Sequence, residues 1–216
     1  SPFTHLWYVA IYGQLILLTP LMIKLFYSWH KKPATTAKIL LIISVLSAVL
    51  LGYLYQDGQD PTGIYYGLLT RAFAFTFGGA LGFMYPIRLV PKPMNAKAKT
   101  LFNSLGFVAI LSAFLMVNFM YGTHGFAYRF GMTLFTLVCA LLVISSIHPA
   151  TIWNKFFSLG IFTFFGKRSY SYYLWYYPVY LIVSRDLSFF NTNIYLNFFV
   201  QFLVIMLLSE ISYRLF

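Results

Sequence analysis

Arg71 lies in the apolar run 65–82, which is long enough to cross a lipid bilayer. A full charge in such a segment costs about 2.5–3.5 kcal/mol on insertion scales and usually serves a function. A guanidinium that faces a water-filled cavity can hold an anionic group or polarise a carbonyl. The alternative is that the side chain snorkels to the headgroups at the membrane surface. Arg71 is therefore the first candidate for chemistry, with both orientations open.

Residues 170–180 contain six tyrosines, which form the second candidate group. Aromatic belts at headgroup level account for some of them, but the run extends about 15 Å along a helix. Several hydroxyls must therefore find partners inside the protein or in a cavity. Two interpretations remain open: core packing with satisfied hydroxyls, and acceptance of an acyl group by one tyrosine.

The other polar residues in apolar segments are fewer and less specific. His5 opens the first apolar segment, where a histidine by itself indicates little. Gln14 lies nine residues later, on the opposite side of the predicted helix, and we expect its amide to bond across helices. Glu210 is expected to pair with Arg214 at i+4. The single cysteine, Cys139, excludes an internal disulfide and gives no metal site.

The elements that must position these residues follow from the composition of the chain. Of its 216 residues, 60% are hydrophobic and only 9% are charged, whereas a soluble domain carries about 25% charged residues. The apolar runs are continuous and of helix length, unlike the alternating segments of about 10 residues in a membrane β-barrel. We therefore predict an all-α fold, a polytopic bundle of transmembrane helices.

About seven spanning helices are predicted, and they form a single membrane domain over residues 1–216, which we expect to be part of a longer protein. The run 156–166 is apolar but too short to span, so we expect it to lie along the membrane interface or dip into it. The predicted spanning segments are 5–28, 39–55, 65–85, 101–121, 128–146, 169–184 and 195–214.

The net charge of +11 is explained by membrane orientation, and we expect no nucleic-acid partner. The basic residues concentrate in every second connector, at 29–38, 86–100 and 147–168. Positively charged loops face the cytoplasm. Residue 1 is therefore predicted outside and residue 216 in the cytoplasm, in a multi-pass protein of the cell membrane.

Three phrases of the sequence, taken in order, resemble the acyltransferase-3 family of membrane O-acyltransferases, over essentially the whole chain. The residues of these motifs are similar to those of the Gram-positive peptidoglycan O-acetyltransferase branch of the family. The phrases are His5-Leu6-Trp7 with Gln14, Thr70-Arg71-Ala72, and Ser169-Tyr170-Ser171-Tyr172-Tyr173-Leu174-Trp175 followed by Pro178.

The resemblance implies transfer of an acetyl or other acyl group from cytoplasmic acyl-CoA across the membrane to a cell-surface polysaccharide such as peptidoglycan. Some members use an extracellular esterase-like domain, in cis or in trans. Acetyl-CoA would be the donor substrate, with no bound cofactor and no metal, and membrane lipid would surround the protein. The implied catalytic residues are His5, Arg71, Tyr176 and Tyr177, and the implied substrate-binding residues are Trp7, Gln14, Tyr170 and Trp175.

Within this interpretation, Arg71 would stabilise charge on the acyl carbonyl or position the donor. His5 would orient the acceptor or relay a proton, and Tyr176 and Tyr177 would line the cavity or carry the acyl group transiently. The basic cytoplasmic loops would suit the phosphates of CoA.

The sequence departs from the family at Tyr12, Leu69 and Tyr176, where the family often has Glu, Asp and His. The family's main catalytic histidine and its associated arginine also belong to helices that would precede Ser1. We therefore expect this chain to be inactive alone.

Two alternatives stay open. A transporter or flippase of lipid-linked saccharides shares a buried arginine and an aromatic lining, although the paired halves typical of transporters are not evident. A non-catalytic membrane scaffold predicts that Arg71 is dispensable while residues 57–63 are required.

Overall fold

The computed structural model describes residues 4–30, 32–85, 93–120, 125–186 and 194–215. These residues are helical apart from short connections, and no strand occurs among them. The prediction of an all-α polytopic helix bundle is confirmed. The chain divides into two compact units, Ser1–Ala10 with Ser158–Phe216, and Ile11–Phe157. We refer to them as the smaller and the larger unit; the predicted single domain stays a prediction.

Nine α-helices follow a short 3₁₀ turn at Thr4–Leu6, within the described ranges. A π-helical turn, Ala127–Gly131, leads directly into the sixth helix. The helices are α1 Trp7–His30, α2 Pro33–Leu54, α3 Thr62–Tyr65, α4 Leu68–Met84, α5 Ala96–Phe119, α6 Met132–Ile147, α7 Ile152–Phe157, α8 Gly160–Asp186 and α9 Ile194–Leu215.

Local sequence explains where several helices begin. Pro33 stands at the first position of α2, where its missing N–H is not needed. The Asn95 side chain caps α5 by accepting a hydrogen bond from the Ala98 backbone N–H at 2.7 Å, as side-chain oxygens commonly do at this position.

Six described helical segments are long and apolar enough to cross a membrane. The seventh predicted segment, 169–184, lies within α8, which has 27 residues. The mean hydropathy of α8 is too low for it to count among these six segments, because its many tyrosines are only weakly apolar. Residues 156–166 are divided between the end of α7 and the first turns of α8, and their expected place at the membrane interface stays a prediction.

Small and hydroxyl-bearing residues hold α2 against α4 in the larger unit. Ser44 donates to the backbone carbonyl of Phe73 at 2.8 Å, and Ser47 donates to that of Leu69. Ala72 and Ala80 of α4 are buried. Helices in membranes associate through such close packing and interhelical hydrogen bonds. The pairing therefore fixes the position of α4, which carries Arg71.

An indole ring joins α5 to α7. Trp153 of α7 donates its Nε1–H to the backbone carbonyl of Asn103 at 2.8 Å. The Asn103 side chain accepts from the Ile152 backbone N–H at 3.0 Å. Gly106 makes room for the ring, because a Cβ there would overlap the Trp153 indole.

In the smaller unit, a charged group joins α8 to α9. Arg168 donates to both carboxylate oxygens of Glu210, and Arg214 donates to Glu210 Oε1 at 2.8 Å. The predicted Glu210–Arg214 pair is confirmed, and Arg168 is a third member that the i+4 pattern does not reveal. The Arg168 guanidinium also lies 3.8 Å from the Phe164 ring centre and 4.5 Å from that of Tyr213.

Candidate functional site

Arg71 lies in the first turn of α4, because that helix begins at Leu68 and is preceded by the short helix α3. The predicted segment 65–85 would place Arg71 six residues after its first residue, but α4 begins three residues later than that segment. The backbone N–H of Arg71 donates to the Gly67 carbonyl at 3.2 Å. The arginine side chain is partly buried.

The Arg71 guanidinium is held by groups of the larger unit. Its Nε donates to the backbone carbonyl of Tyr65 at 2.9 Å. The guanidinium carbon lies 3.8 Å from the centre of the Tyr65 ring, a distance typical of a cation–π contact. Nη1 lies 3.1 Å from the Met132 sulfur. These contacts favour the interior orientation over snorkelling.

Three tyrosines from separate segments support this arrangement. Tyr128 of the π-helical turn meets Tyr65 edge-on, with ring centres 6.4 Å apart. Tyr55 stacks on Tyr128 at 4.6 Å with an interplanar angle of 9°. Tyr55 and Tyr128 are buried, so the three rings form a packed layer. Sequence reasoning missed these residues and Met132.

The turn that precedes α4 is fixed by Thr70, a buried residue. Its hydroxyl donates to the carbonyl oxygens of Ile64 and Gly67, the latter at 3.0 Å. A Cβ on Gly67 would lie 2.6 Å from that hydroxyl oxygen, so a glycine is required for this close approach. The Thr70-Arg71 pair of the second motif thus combines a turn-fixing residue with the candidate functional residue.

The connection between α2 and α3 carries exposed carboxylates. Asp57 Oδ2 accepts from Arg129 Nη2 at 2.7 Å, which ties this connection to the π-helical turn. The Thr62 hydroxyl and its backbone N–H both donate to Asp60. These two hydrogen bonds hold the pKa of the Asp60 carboxyl below its ordinary value of 3.8, so it stays ionised at neutral pH.

His5 belongs to the smaller unit and is only 7% exposed. Its Nε2 lies 3.3 Å from the backbone carbonyl oxygen of Leu174. The Tyr173 hydroxyl donates to the His5 backbone carbonyl. Three tyrosine rings surround the imidazole, with centres at 5.6, 5.5 and 5.1 Å for Tyr173, Tyr176 and Tyr177.

This environment selects one tautomer of the neutral imidazole. A carbonyl oxygen only accepts hydrogen bonds, so the neutral ring must carry its proton on Nε2. Nδ1 then keeps a lone pair, and it is buried without a hydrogen-bond partner among the described residues. A buried nitrogen with a free lone pair can accept a proton from a hydroxyl placed beside it.

The remaining predicted site residues divide between the two units. Trp7 contacts the Tyr8 ring, and Tyr8 meets Tyr173 at 6.1 Å. The Trp175 indole N–H is buried with no hydrogen-bond partner within the described ranges. Tyr170 is exposed. In the larger unit, Gln14 is exposed on α1.

Thus the structure brings His5 together with the predicted Tyr176 and Tyr177, whereas Arg71 belongs to the other unit. Two of the departures from the family pattern are surface positions: Tyr12 is 42% and Leu69 is 70% exposed. Among the described residues, no three His, Cys, Asp or Glu side chains lie together as a metal site would require.

A family model described as an acyltransferase domain matches residues 1–211. The chain belongs to the acyltransferase-3 family. It is 34% identical over 215 residues to the peptidoglycan O-acetyltransferase OatA of Listeria monocytogenes, covering 99% of this chain and 34% of that protein.

Other members of the acyltransferase-3 family match over a similar range. Identity is 30% to the putative peptidoglycan O-acetyltransferase YrhL of Bacillus subtilis, over 99% of this chain and 34% of that protein. It is 29% to the O-acetyltransferase OatA of Staphylococcus aureus, over 99% of this chain and 35% of that protein. The chain therefore spans about one third of the length of these relatives. No solved structure matches.

Proposed function

We propose that this chain is part of the membrane domain of an O-acetyltransferase that passes an acetyl group from cytoplasmic acyl-CoA across the membrane to a cell-surface glycan such as peptidoglycan. Membership of the acyltransferase-3 family supports the reaction class, and the names of the relatives support the acetyl group and the glycan. The proposal places the chain in the cell membrane, with residue 1 outside and residue 216 in the cytoplasm.

The observation that carries the proposal is the buried His5 imidazole with its open Nδ1. In the proposed step, Nδ1 removes the proton from an acceptor hydroxyl as its oxygen bonds to the acyl carbonyl carbon. The carbon–sulfur bond of the thioester breaks, and the proton passes to the departing thiolate. Such general-base assistance typically contributes about 10²–10⁴ in rate.

Tyr176 and Tyr177 flank the same imidazole and line the place where the acceptor would sit. If the acyl group travels by a covalent carrier, one of these phenol oxygens takes it first, with its proton passing to His5 Nδ1. Trp7, Tyr170 and Trp175 of the same unit are proposed to contact substrate. Gln14, in the larger unit, is proposed to bind substrate there.

Arg71 has a separate role in the larger unit. Its side chain is braced by Tyr65 and Met132, so its charge is fixed in place before substrate arrives. We assign it to an anionic group of the donor, because a charge that is already held in place stabilises its partner most effectively. In the smaller unit, the exposed Lys167 is suited to the CoA phosphates.

The test is transfer of labelled acetyl from acetyl-CoA to wall glycan by the full-length protein in membranes. We expect His5→Gln to lower transfer by about 10²-fold or more, since glutamine can still donate to the Leu174 carbonyl but cannot act as a base. Arg71→Ala is expected to lower it by about 10²–10³-fold. His148→Gln and Arg214→Lys are the matched controls, and both should retain transfer.

Each result has a distinct meaning. Wild-type levels in His5→Gln would remove His5 from the chemistry, and wild-type levels in Arg71→Ala would reduce Arg71 to a packing residue. Absence of transfer by the wild-type protein would favour the transporter or scaffold alternatives. An extracellular esterase-like domain, in cis or in trans, would be revealed if transfer required its addition.

A further inference from the structure

A cavity of about 480 Å³ lies between α4 and α6 in the larger unit. Among its lining residues, only Tyr85, Thr136 and Cys139 carry polar side-chain atoms. The Thr136 hydroxyl is already used, because it donates to the Met132 carbonyl at 3.0 Å. The surface that lines the cavity is therefore almost entirely apolar. It consists of Ala74, Phe77, Gly78, Leu81, Gly82, Tyr85, Phe135, Thr136, Cys139, Ala140, Val143, Ile144 and Ile147.

Two glycines of α4 create this space. Gly78 and Gly82 are four residues apart and share one face of the helix. A Cβ at either position would meet no atom within 4 Å. At the neighbouring Gly79, a Cβ would lie 3.5 Å from Leu40, because that face packs against α2. The missing side chains of Gly78 and Gly82 thus open the cavity on the face that turns to α6.

The length of the cavity along the helices is close to the thickness of one membrane leaflet. Its walls run from Ala74 to Tyr85 on α4 and from Phe135 to Ile147 on α6, which is about 17–18 Å at 1.5 Å per residue. The hydrocarbon of one leaflet is about 15 Å thick, half of the whole core. One helical turn beyond the end formed by Ala74 and Phe135, Arg71 contacts Met132.

We propose that this cavity, which we call the α4–α6 groove, binds one acyl chain of an anionic membrane lipid. Its depth and its carbon lining fit a single aliphatic chain lying parallel to the helices. The groove ends at Tyr85, and the next described helix begins with the exposed Lys97 and Lys99. Basic residues beside a membrane segment attract anionic headgroups. The site stands independently of the proposed transfer reaction.

The experiment uses the full-length protein in vesicles that contain phosphatidylglycerol or phosphatidylcholine with a photoactivatable acyl chain. After irradiation, lipid adducts are mapped by mass spectrometry. We expect adducts to concentrate on residues 74–85 and 135–147 and to be more abundant with phosphatidylglycerol. The double substitution Gly78→Leu with Gly82→Leu should fill the groove and reduce these adducts by about tenfold.

Gly13→Leu is the matched control, because a Cβ at Gly13 also meets nothing within 4 Å and this position lies on α1. It should leave the adducts of the groove unchanged. If the exposed Leu111 and Phe114 on α5 were labelled equally, the lipid would contact the apolar surface in general and would have no specific site in the groove. Adducts unaffected by the two leucines would overturn the site. Equal labelling by both lipids would overturn the selection of anionic headgroups.

Cys139 provides a second measurement that needs no groove-filling variant. It is exposed and lies in the wall of the groove. In detergent, added phosphatidylglycerol should slow its reaction with an apolar maleimide more than phosphatidylcholine does, and Cys139→Ser identifies the signal. An unreactive Cys139 without lipid, together with an absence of adducts, would show that another part of the full-length protein fills the groove and would overturn the proposal.

Discussion

At the scale of single residues, Tyr65 serves Arg71 in two ways. Its backbone carbonyl accepts from the arginine Nε, and its ring lies beneath the guanidinium. The carbonyl contact survives any substitution of the side chain, whereas the ring contact requires an aromatic residue. The two contributions can therefore be separated by mutation.

We predict that Tyr65→Phe retains most acetyl transfer and that Tyr65→Leu loses about 2–30-fold, because a cation–π contact contributes about 0.5–2 kcal/mol. Transfer by the full-length protein in membranes is the measurement. Tyr53→Leu is the control, since Tyr53 is 82% exposed and should tolerate the change. Similar losses in the Phe and Leu variants would show that the hydroxyl of Tyr65, and not its ring, supports Arg71.

Residue type alone singled out Arg71, because a charge among apolar neighbours stands out in any sequence, whereas His5 became a candidate through the resemblance to the acyltransferase-3 family. Their supporting groups did not stand out. Tyr128 lies 63 positions from Tyr65, and nothing in the spacing of aromatic residues pairs them. Leu174 supplies only a backbone carbonyl to His5, an interaction that carries no side-chain signal.

At the scale of elements, the π-helical turn Ala127–Gly131 explains how α6 meets its neighbours. The wider turn directs Tyr128 into the tyrosine layer and places Arg129 beside Asp57. Single π-turns often occur at functional sites. Gly52 of α2 lies against this turn, where a Cβ would be 3.4 Å from the Arg129 carbonyl oxygen.

The contact between α5 and α7 gives a direct test of packing. We predict that Gly106→Ala lowers stability by about 1–3 kcal/mol, because the new methyl group must displace the Trp153 indole and break its hydrogen bond to Asn103. The midpoint of thermal unfolding in detergent is the measurement.

Gly82→Ala is the control for that substitution, because its Cβ would meet no atom within 4 Å. Replacing a helical glycine in open space should stabilise the protein by about 0.5–1 kcal/mol. The explanation also predicts that Trp153→Phe, with its smaller ring, recovers part of the loss when combined with Gly106→Ala. A Gly106→Ala protein that melts with the wild type would contradict it.

Helix boundaries show where sequence patterns lose precision. The predicted spanning segment 65–85 agrees with the candidate span Thr62–Met84, but Gly67 divides this span into α3 and α4, and α4 begins only at Leu68. The predicted spanning segment 169–184 begins just after Lys167 and Arg168, whereas α8 begins at Gly160 and continues through both residues. The Arg168 side chain finds a carboxylate on α9, so its charge does not end the helix.

At the scale of the whole molecule, composition predicted the fold class because apolar runs of this length have few other stable arrangements. The arrangement of the helices could not be predicted in the same way, since it depends on specific small residues and buried hydroxyls. The residues proposed for chemistry fall in both units, and the chain spans about one third of its relatives.

We therefore predict that the 216-residue chain, purified in lipid, transfers no acetyl group above background, whereas the full-length protein does. The reason is that the chain spans only about one third of the length of these relatives, and the residues proposed for chemistry are divided between its two units. Binding of photoactivatable lipid to the α4–α6 groove in the same preparation would serve as the control for folding. Transfer by the isolated chain would show that its own residues complete a site.

The charged group on α8 and α9 has a consequence for biogenesis. As the chain is synthesised, α8 leaves the ribosome first, rich in tyrosine and carrying Arg168 without its carboxylate. Glu210 emerges one helix later with its i+4 partner Arg214, and its second carboxylate oxygen then becomes available to Arg168. The ion pair between Arg168 and Glu210 lowers the free-energy cost of inserting either charge, so the two helices enter the bilayer most readily as a hairpin. Cellular quality control would then recognise a chain in which only one of them has inserted.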